Sequence, residues 1–290
     1  MFRGLGTHAR SLAAALVACA AGCGADGEPG DRRGSETARP AAGAIVSLSP
    51  ALTHTAQALG AADRIVGRTA WCDAPDAAVV GSLEDRDLEA IVALRPSLVL
   101  RQSSAPDPAL EAAARAVGAR VVDVRAIDRV RDVESMAADL AEVLESQGVA
   151  GARERARAAI ESFHRSTASP VACTRPVVFL YSTDPPAAFG EHTFVDDAWR
   201  AMGGRNAVAA RGYPTMTAED IARLAPAAVV VVGPRSMAVP AWLRTVAPAV
   251  TTTEAAELLE PSLRMLERAP AALRAVDAAL AAQGAAGGVP

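Results

Sequence analysis

The chain has 290 residues, 51% of them hydrophobic and only 3% aromatic, with a formal net charge of −4. No basic stripe runs through it, which argues against a nucleic-acid partner. Its length allows one large domain or two lobes once the termini are set aside.

The N-terminus reads as a targeting segment. Arg3 and Arg10 lead into the apolar or small run 11–22, and no acidic residue occurs before Asp26. A basic start and an apolar stretch too short to span a bilayer describe a cleavable signal. Leu16-Val17-Ala18-Cys19 and Ala20-Ala21-Gly22-Cys23 both resemble a bacterial lipobox, whose cysteine takes lipid and becomes the new N-terminus. Cys19 has the better residue at −3. Cys23 gives the longer apolar run, so 1–22 is read as a lipoprotein signal peptide with Cys23, or Cys19, as the lipid attachment. Residues 23–43 are mostly Gly, Pro, Ala, Asp and Arg and read as a flexible tether. Cys72 and Cys173 would then sit in an oxidising compartment, where a disulfide is permitted. Sequence alone does not say whether they meet.

The body begins with a short strand over 44–48. Ser49-Pro50 starts a helix, with Ser as N-cap and Pro at the first helical position. Leu52, Ala56 and Leu59 form its apolar face, and Gly60 ends it. A strand at 64–67, a loop at 69–75, an apolar segment at 79–80, a helix at 109–117 and a strand at 120–124 follow. Segments 133–144 and 151–165 are helical, the second with Ala152, Ala156, Ala159, Ile160 and Phe163 on one face. The pattern then restarts, with a strand at 176–181 and a helix at 193–202 closed by Gly203-Gly204. The C-terminal helix is expected over 258–280.

One pattern occurs twice. Glu89-x-Ile91-x-x-Leu94-x-Pro96-x-x-Val99 returns as Glu219-x-Ile221-x-x-Leu224-x-Pro226-x-x-Val229. Each copy reads as a short helix stopped by proline and followed by an apolar strand. A period this long is no solenoid unit and points to two similar lobes. The fold class is therefore α/β: two lobes, each a parallel-type sheet flanked by helices, joined by one long helix, with a ligand cleft between them. The boundaries are 44–145 for the N-terminal lobe, 146–170 for the linking helix region and 171–290 for the C-terminal lobe. In open parallel sheets, ligands bind outside the carboxyl ends of the strands.

The loops at those ends carry a family resemblance. Val46-Ser-Leu-Ser-Pro50, Arg64-Ile-Val-Gly67, Cys72-Asp-Ala-Pro75 and Asp87-Leu-Glu-Ala-Ile-Val-Ala-Leu-Arg-Pro96 follow in order. In the second half come Asp184-Pro-Pro186, Phe189-Gly190, Thr193-Phe-Val-Asp-Asp197, Gly203-Gly204 and Tyr213-Pro214. The set, running from about Ala44 to Leu280, resembles the helical-backbone (class III) substrate-binding proteins of ABC importers. Those proteins carry vitamin B12, ferric siderophores or haem; the cobalamin-binding members look closest.

The resemblance implies a carrier of a cobalt or iron chelate with no intrinsic cofactor. It would be a monomer, exported and held to the membrane by lipid, facing the periplasm or the cell exterior. Its partner would be an ABC permease dimer with its ATPase subunits. In that family one surface glutamate per lobe pairs with permease arginines, and the matching positions are Glu89 and Glu219. The ligand site would include Ser49, Pro50, Trp71, Phe189, Gly190 and Tyr213, with Trp71 and Tyr213 as facing aromatics. Other aromatic positions of the cobalamin binders are occupied here by Leu83, Gln102 and Ala187. His54 and His192 could face the cleft from opposite lobes as iron or cobalt ligands. No HExxH, paired CxxC or GxSxG is present, so the chain is read as a non-enzyme. The alternatives are a two-lobed chelatase-like enzyme and a lipoprotein that senses its ligand without transport.

Overall fold

Short apolar strands alternating with helices build two sheets in the computed structural model, which describes residues 43–82, 85–103 and 105–286. In the first half, β1 (Ile45–Ser47), β2 (Ile65–Arg68), β3 (Ala78–Val79), β4 (Leu98–Gln102) and β5 (Arg120–Val124) form a sheet of order β3-β2-β1-β4-β5. Every pairing in it is parallel. β1 is buried throughout and β4 over its first four residues, as strands covered on both faces must be. The helices α1 (Pro50–Ala56), α2 (Leu88–Ala93) and α3 (Pro108–Ala116) cover it.

The second half repeats the plan with changes. β6 (Pro176–Thr183), β7 (Pro186–Ala188), β8 (Arg205–Asn206), β9 (Ala228–Val232) and β10 (Val250–Thr253) form a sheet of order β10-β9-β6-β7, with β8 also on β6. Unlike the rest, β7 runs antiparallel to β6, so this sheet is mixed. The helices here are α6 (Phe194–Ala201), α7 (Ala218–Arg223) and the short α8 (Leu243–Val246).

The repeat is one local structure made twice. Asp87 caps α2 by accepting from the Ala90 N–H at 2.8 Å, and Thr217 caps α7 by accepting from the Asp220 N–H at 3.1 Å. Ile91 and Ile221 are both fully buried. The residue before each proline then takes a left-handed backbone, Arg95 at φ 45° and Ala225 at φ 44°. Such angles are uncommon outside glycine, so their recurrence at the same place is strong evidence of a common plan. Each copy delivers a strand, β4 or β9, that pairs in parallel with the first strand of its own sheet.

Two helices connect the halves. α4 (Val130–Ser146) folds back on α5 (Ala152–Thr167), and α5 leads to β6. Ala152, Ala156, Ala159 and Phe163 are buried as the spacing predicts, while Ile160 is only half-buried. The expected C-terminal helix is divided: a 3-10 turn at Ala256–Leu259 precedes α9 (Leu263–Ala286), which packs on α5 and α1. One continuous apolar core runs from the first sheet through these helices to the second, with Leu52, Leu140, Phe163, Phe179 and Leu273 among its members.

Cys72 and Cys173 are both free thiols, so the permitted disulfide is not formed. Among the described residues, no helix is long and apolar enough to cross a membrane. The expected signal peptide with Cys19 and Cys23, the expected tether to residue 42, and Leu83 lie outside the described residues.

Candidate functional site

The first sheet changes direction between β1 and β4, the place where open α/β sheets leave a crevice. Ser49, just past β1, and Gln102, at the end of β4, meet there: the Ser49 hydroxyl donates to Gln102 Oε1 at 2.9 Å. This contact explains why Ser49, although at the N-cap of α1, makes no capping hydrogen bond. Around the pair lies an open cavity of about 460 Å³, walled by Leu48, Ser49, Pro50, Thr69, Trp71, Gln102, Ser103 and Ala126. None of these side chains carries a charge. Trp71 is 79% exposed, the most exposed large apolar side chain among the described residues.

The second half contributes an aromatic wall. Tyr181, Phe189 and Tyr213 stand edge to face, with ring centroids 5.2 Å apart for Tyr181–Phe189 and 6.0 Å for the two contacts of Tyr213. Phe189 is buried and backs the wall, while Tyr213 reaches the surface. Gly190 is explained by packing: a Cβ there would lie 1.9 Å from the Ala210 carbonyl oxygen. Ala187, in β7, is buried.

Tyr213 lies near the residues that lead into α4. Burial pushes its phenol above the usual tyrosine range, and the negative charges of Asp128 and Asp132 from the first half add to the shift. Like any phenol, Tyr213 is protonated at neutral pH and can donate a hydrogen bond. Close by, Arg129 grips Asp197 of α6 with two bonds, at 2.6 and 3.0 Å, and the Val130 N–H donates to the same carboxylate at 3.1 Å. These contacts tie the start of α4 to the opposite half. At another point His54 Nδ1 lies 2.7 Å from Glu260 Oε1, again joining the halves.

The two predicted histidines therefore have separate settings. His54 is engaged with Glu260 through Nδ1, and His192 sits in the turn before α6 with its backbone N–H donating to Asp196. Among the described residues, no group of three or more His, Cys, Asp and Glu is placed to hold a metal ion. Glu89 and Glu219 are exposed in the first turns of the equivalent helices α2 and α7. Glu219 also pairs with Arg223, one turn on, at 3.1 Å. Sequence reading missed Thr69, Ser103 and Tyr181 as wall residues. Thr69 and Ser103 lie just past the ends of β2 and β4, and that position was the available signal; Tyr181 lies inside β6.

The family model described as "Periplasmic binding protein" matches residues 45–260. Searched against curated proteins, the chain finds no match. Among solved structures it is similar to the periplasmic haem-binding protein BhuT in complex with two haems, at 24% identity and a TM-score of 0.63, covering 82% of this chain and 98% of that one. The vitamin B12-binding protein BtuF of Vibrio cholerae matches at 20% identity and TM-score 0.62, over 83% and 97% of the two chains. The siderophore-binding protein FhuD of Vibrio cholerae, bound to Fe3+-Desferal, matches at 17% identity and TM-score 0.63, over 83% and 99%. At such identities the likeness is one of fold.

Proposed function

The chain belongs to the periplasmic binding protein family, and from that premise we propose that it is the substrate-binding lipoprotein of an ABC importer. It captures a metal chelate between its lobes and hands it to the permease dimer. Cobalamin is the first candidate, with haem or a ferric siderophore next. One observation carries this order: among the described residues, the cavity at the strand ends has aromatic, hydroxyl and amide walls and no charged side chain. A flat corrin ring edged with amides finds apolar faces and neutral hydrogen-bonding partners there. The carboxylates of haem are best held by guanidinium groups, and none lines this wall. Tyr213, kept as a phenol, suits an amide acceptor across the cleft. Axial ligation by His54 does not enter this reading, because its remaining ring nitrogen, Nε2, is buried and faces Asp73 Oδ2 at 3.8 Å.

The chain acts as a carrier and not as an enzyme; its cobalt or iron belongs to the cargo. Glu89 and Glu219, one on each lobe, are the docking carboxylates, and a lipid on Cys23 or Cys19 is the anchor. Uptake of labelled cyanocobalamin tests the proposal. Cells lacking the chain should lose uptake at limiting ligand and regain it when the gene is restored. Undiminished uptake without the chain, alongside binding by the purified protein, would favour a sensor over a transporter.

A further inference from the structure

The loop 69–75 holds Trp71, and part of its support comes from the other half of the molecule. Gln57, just past α1, donates from Nε2 to the Asp73 carbonyl at 2.6 Å. Its Oε1 accepts from Arg264 Nη2, at the start of α9, at 3.0 Å. An amide between a carbonyl and a guanidinium has one productive orientation: the reverse would set donor against donor and acceptor against acceptor. Thr55 Oγ1 accepts from the Leu263 N–H at 3.0 Å. One turn before Gln57, His54 meets Glu260 through Nδ1, and its buried Nε2, with no hydrogen-bond partner, faces Asp73 Oδ2 at 3.8 Å. Glu260, Leu263 and Arg264 thus reach through α1 and its continuation to the backbone and side chain of Asp73, two residues from Trp71.

We propose that Glu260 and Arg264 are positioning residues for Trp71: the C-terminal lobe sets where the N-terminal lobe holds its exposed tryptophan, acting through His54 and Gln57. The angle between the lobes and the placement of Trp71 are then linked, so that whatever shifts one shifts the other. The consequence for ligand rests on the cleft being the binding site, but the positioning itself can be read without ligand.

The chain has three tryptophans, Trp71, Trp199 and Trp242. Labelled with 5-fluorotryptophan, the full-length protein should give three fluorine resonances, and Trp71→Phe assigns the first. Trp199 is fully buried and reports on the fold. Glu260→Gln and Arg264→Met should each shift and broaden the Trp71 signal, the double variant most, while the Trp199 signal holds. Arg264→Lys, which keeps a donor for Gln57, should return the Trp71 signal toward wild type. Gln57→Met, which cuts the relay inside the N-terminal lobe, should reproduce the Arg264→Met shift. An unmoved Trp71 signal in the double variant overturns the proposal. So does a Trp199 signal that moves in step with Trp71, because the two residues would then serve core packing alone.

Discussion

Replacing Trp71 by Ala should weaken ligand binding and leave the fold untouched. The ring is 79% exposed, so its loss removes little packing. A tryptophan buries about 200 Å² when fully enclosed. A flat ligand covering one face would take about 80 Å² of apolar area from water, worth about 2 kcal/mol at 25 cal/mol/Å². That is a rise of about 30-fold in Kd, and it should lie mainly in the dissociation rate. Stopped-flow displacement and calorimetry on wild type and Trp71→Ala, with thermal melts alongside, would measure both parts. A shift of less than about twofold, below the 0.5 kcal/mol typical of energetically neutral surface changes, would remove Trp71 from the site. A large fall in melting temperature would contradict the claim that the ring is idle without ligand.

Three further outcomes are expected. Tyr213→Phe should abolish a late phase in the alkaline absorbance titration at 295 nm. Because partial burial raises its pKa, the stability linked to the protonated phenol is complete below about pH 10 and is lost as pH rises further; loss of a phase in the ordinary tyrosine range near about pH 10 instead would refute the raised phenol. Glu89→Ala and Glu219→Ala should bind ligand normally and transport poorly, with Arg worse than Ala at either position; full uptake by the double Ala variant would remove the docking role. Changing Cys19 and Cys23 together to Ser should release the protein into the soluble fraction, and retention on membranes in high salt would exclude the lipid anchor.

Much of the fold can be read in the residues because two signals agree. The repeat at Glu89 and Glu219 predicts equivalent helices, and both copies end at the same left-handed residue before proline. The boundaries of β5 coincide with the alternating run 120–124. β10 escapes because Val250-Thr-Thr-Thr253 is short and mostly threonine, and is held by its parallel pairing with β9. β7 escapes for a related reason: Pro186-Ala-Ala188 has weak strand preference and is set by its antiparallel partner β6. The continuous C-terminal helix fails at Pro261, where the chain turns between the 3-10 segment and α9. At the site, Trp71 and Tyr213 come from the family resemblance; Ser49 and Trp71 lie in the segments that follow β1 and β2. The resemblance places Phe189 on the ligand surface, yet it is buried, with Tyr181 and Phe194 packed edge to face on it. The contacts that join the halves, Arg129 to Asp197 and His54 to Glu260, link residues 68 and 206 positions apart. No local spacing announces them.

The central claim is that the cleft takes a metal chelate. Isothermal titration of cyanocobalamin, haemin and ferrioxamine into the Cys19→Ser, Cys23→Ser protein tests it most directly. The account predicts one-to-one binding of one chelate, micromolar or tighter, with cyanocobalamin first and with affinity reduced in both Trp71→Ala and Tyr213→Ala. Saturation by none of the three, in protein whose melting transition is intact, would contradict it.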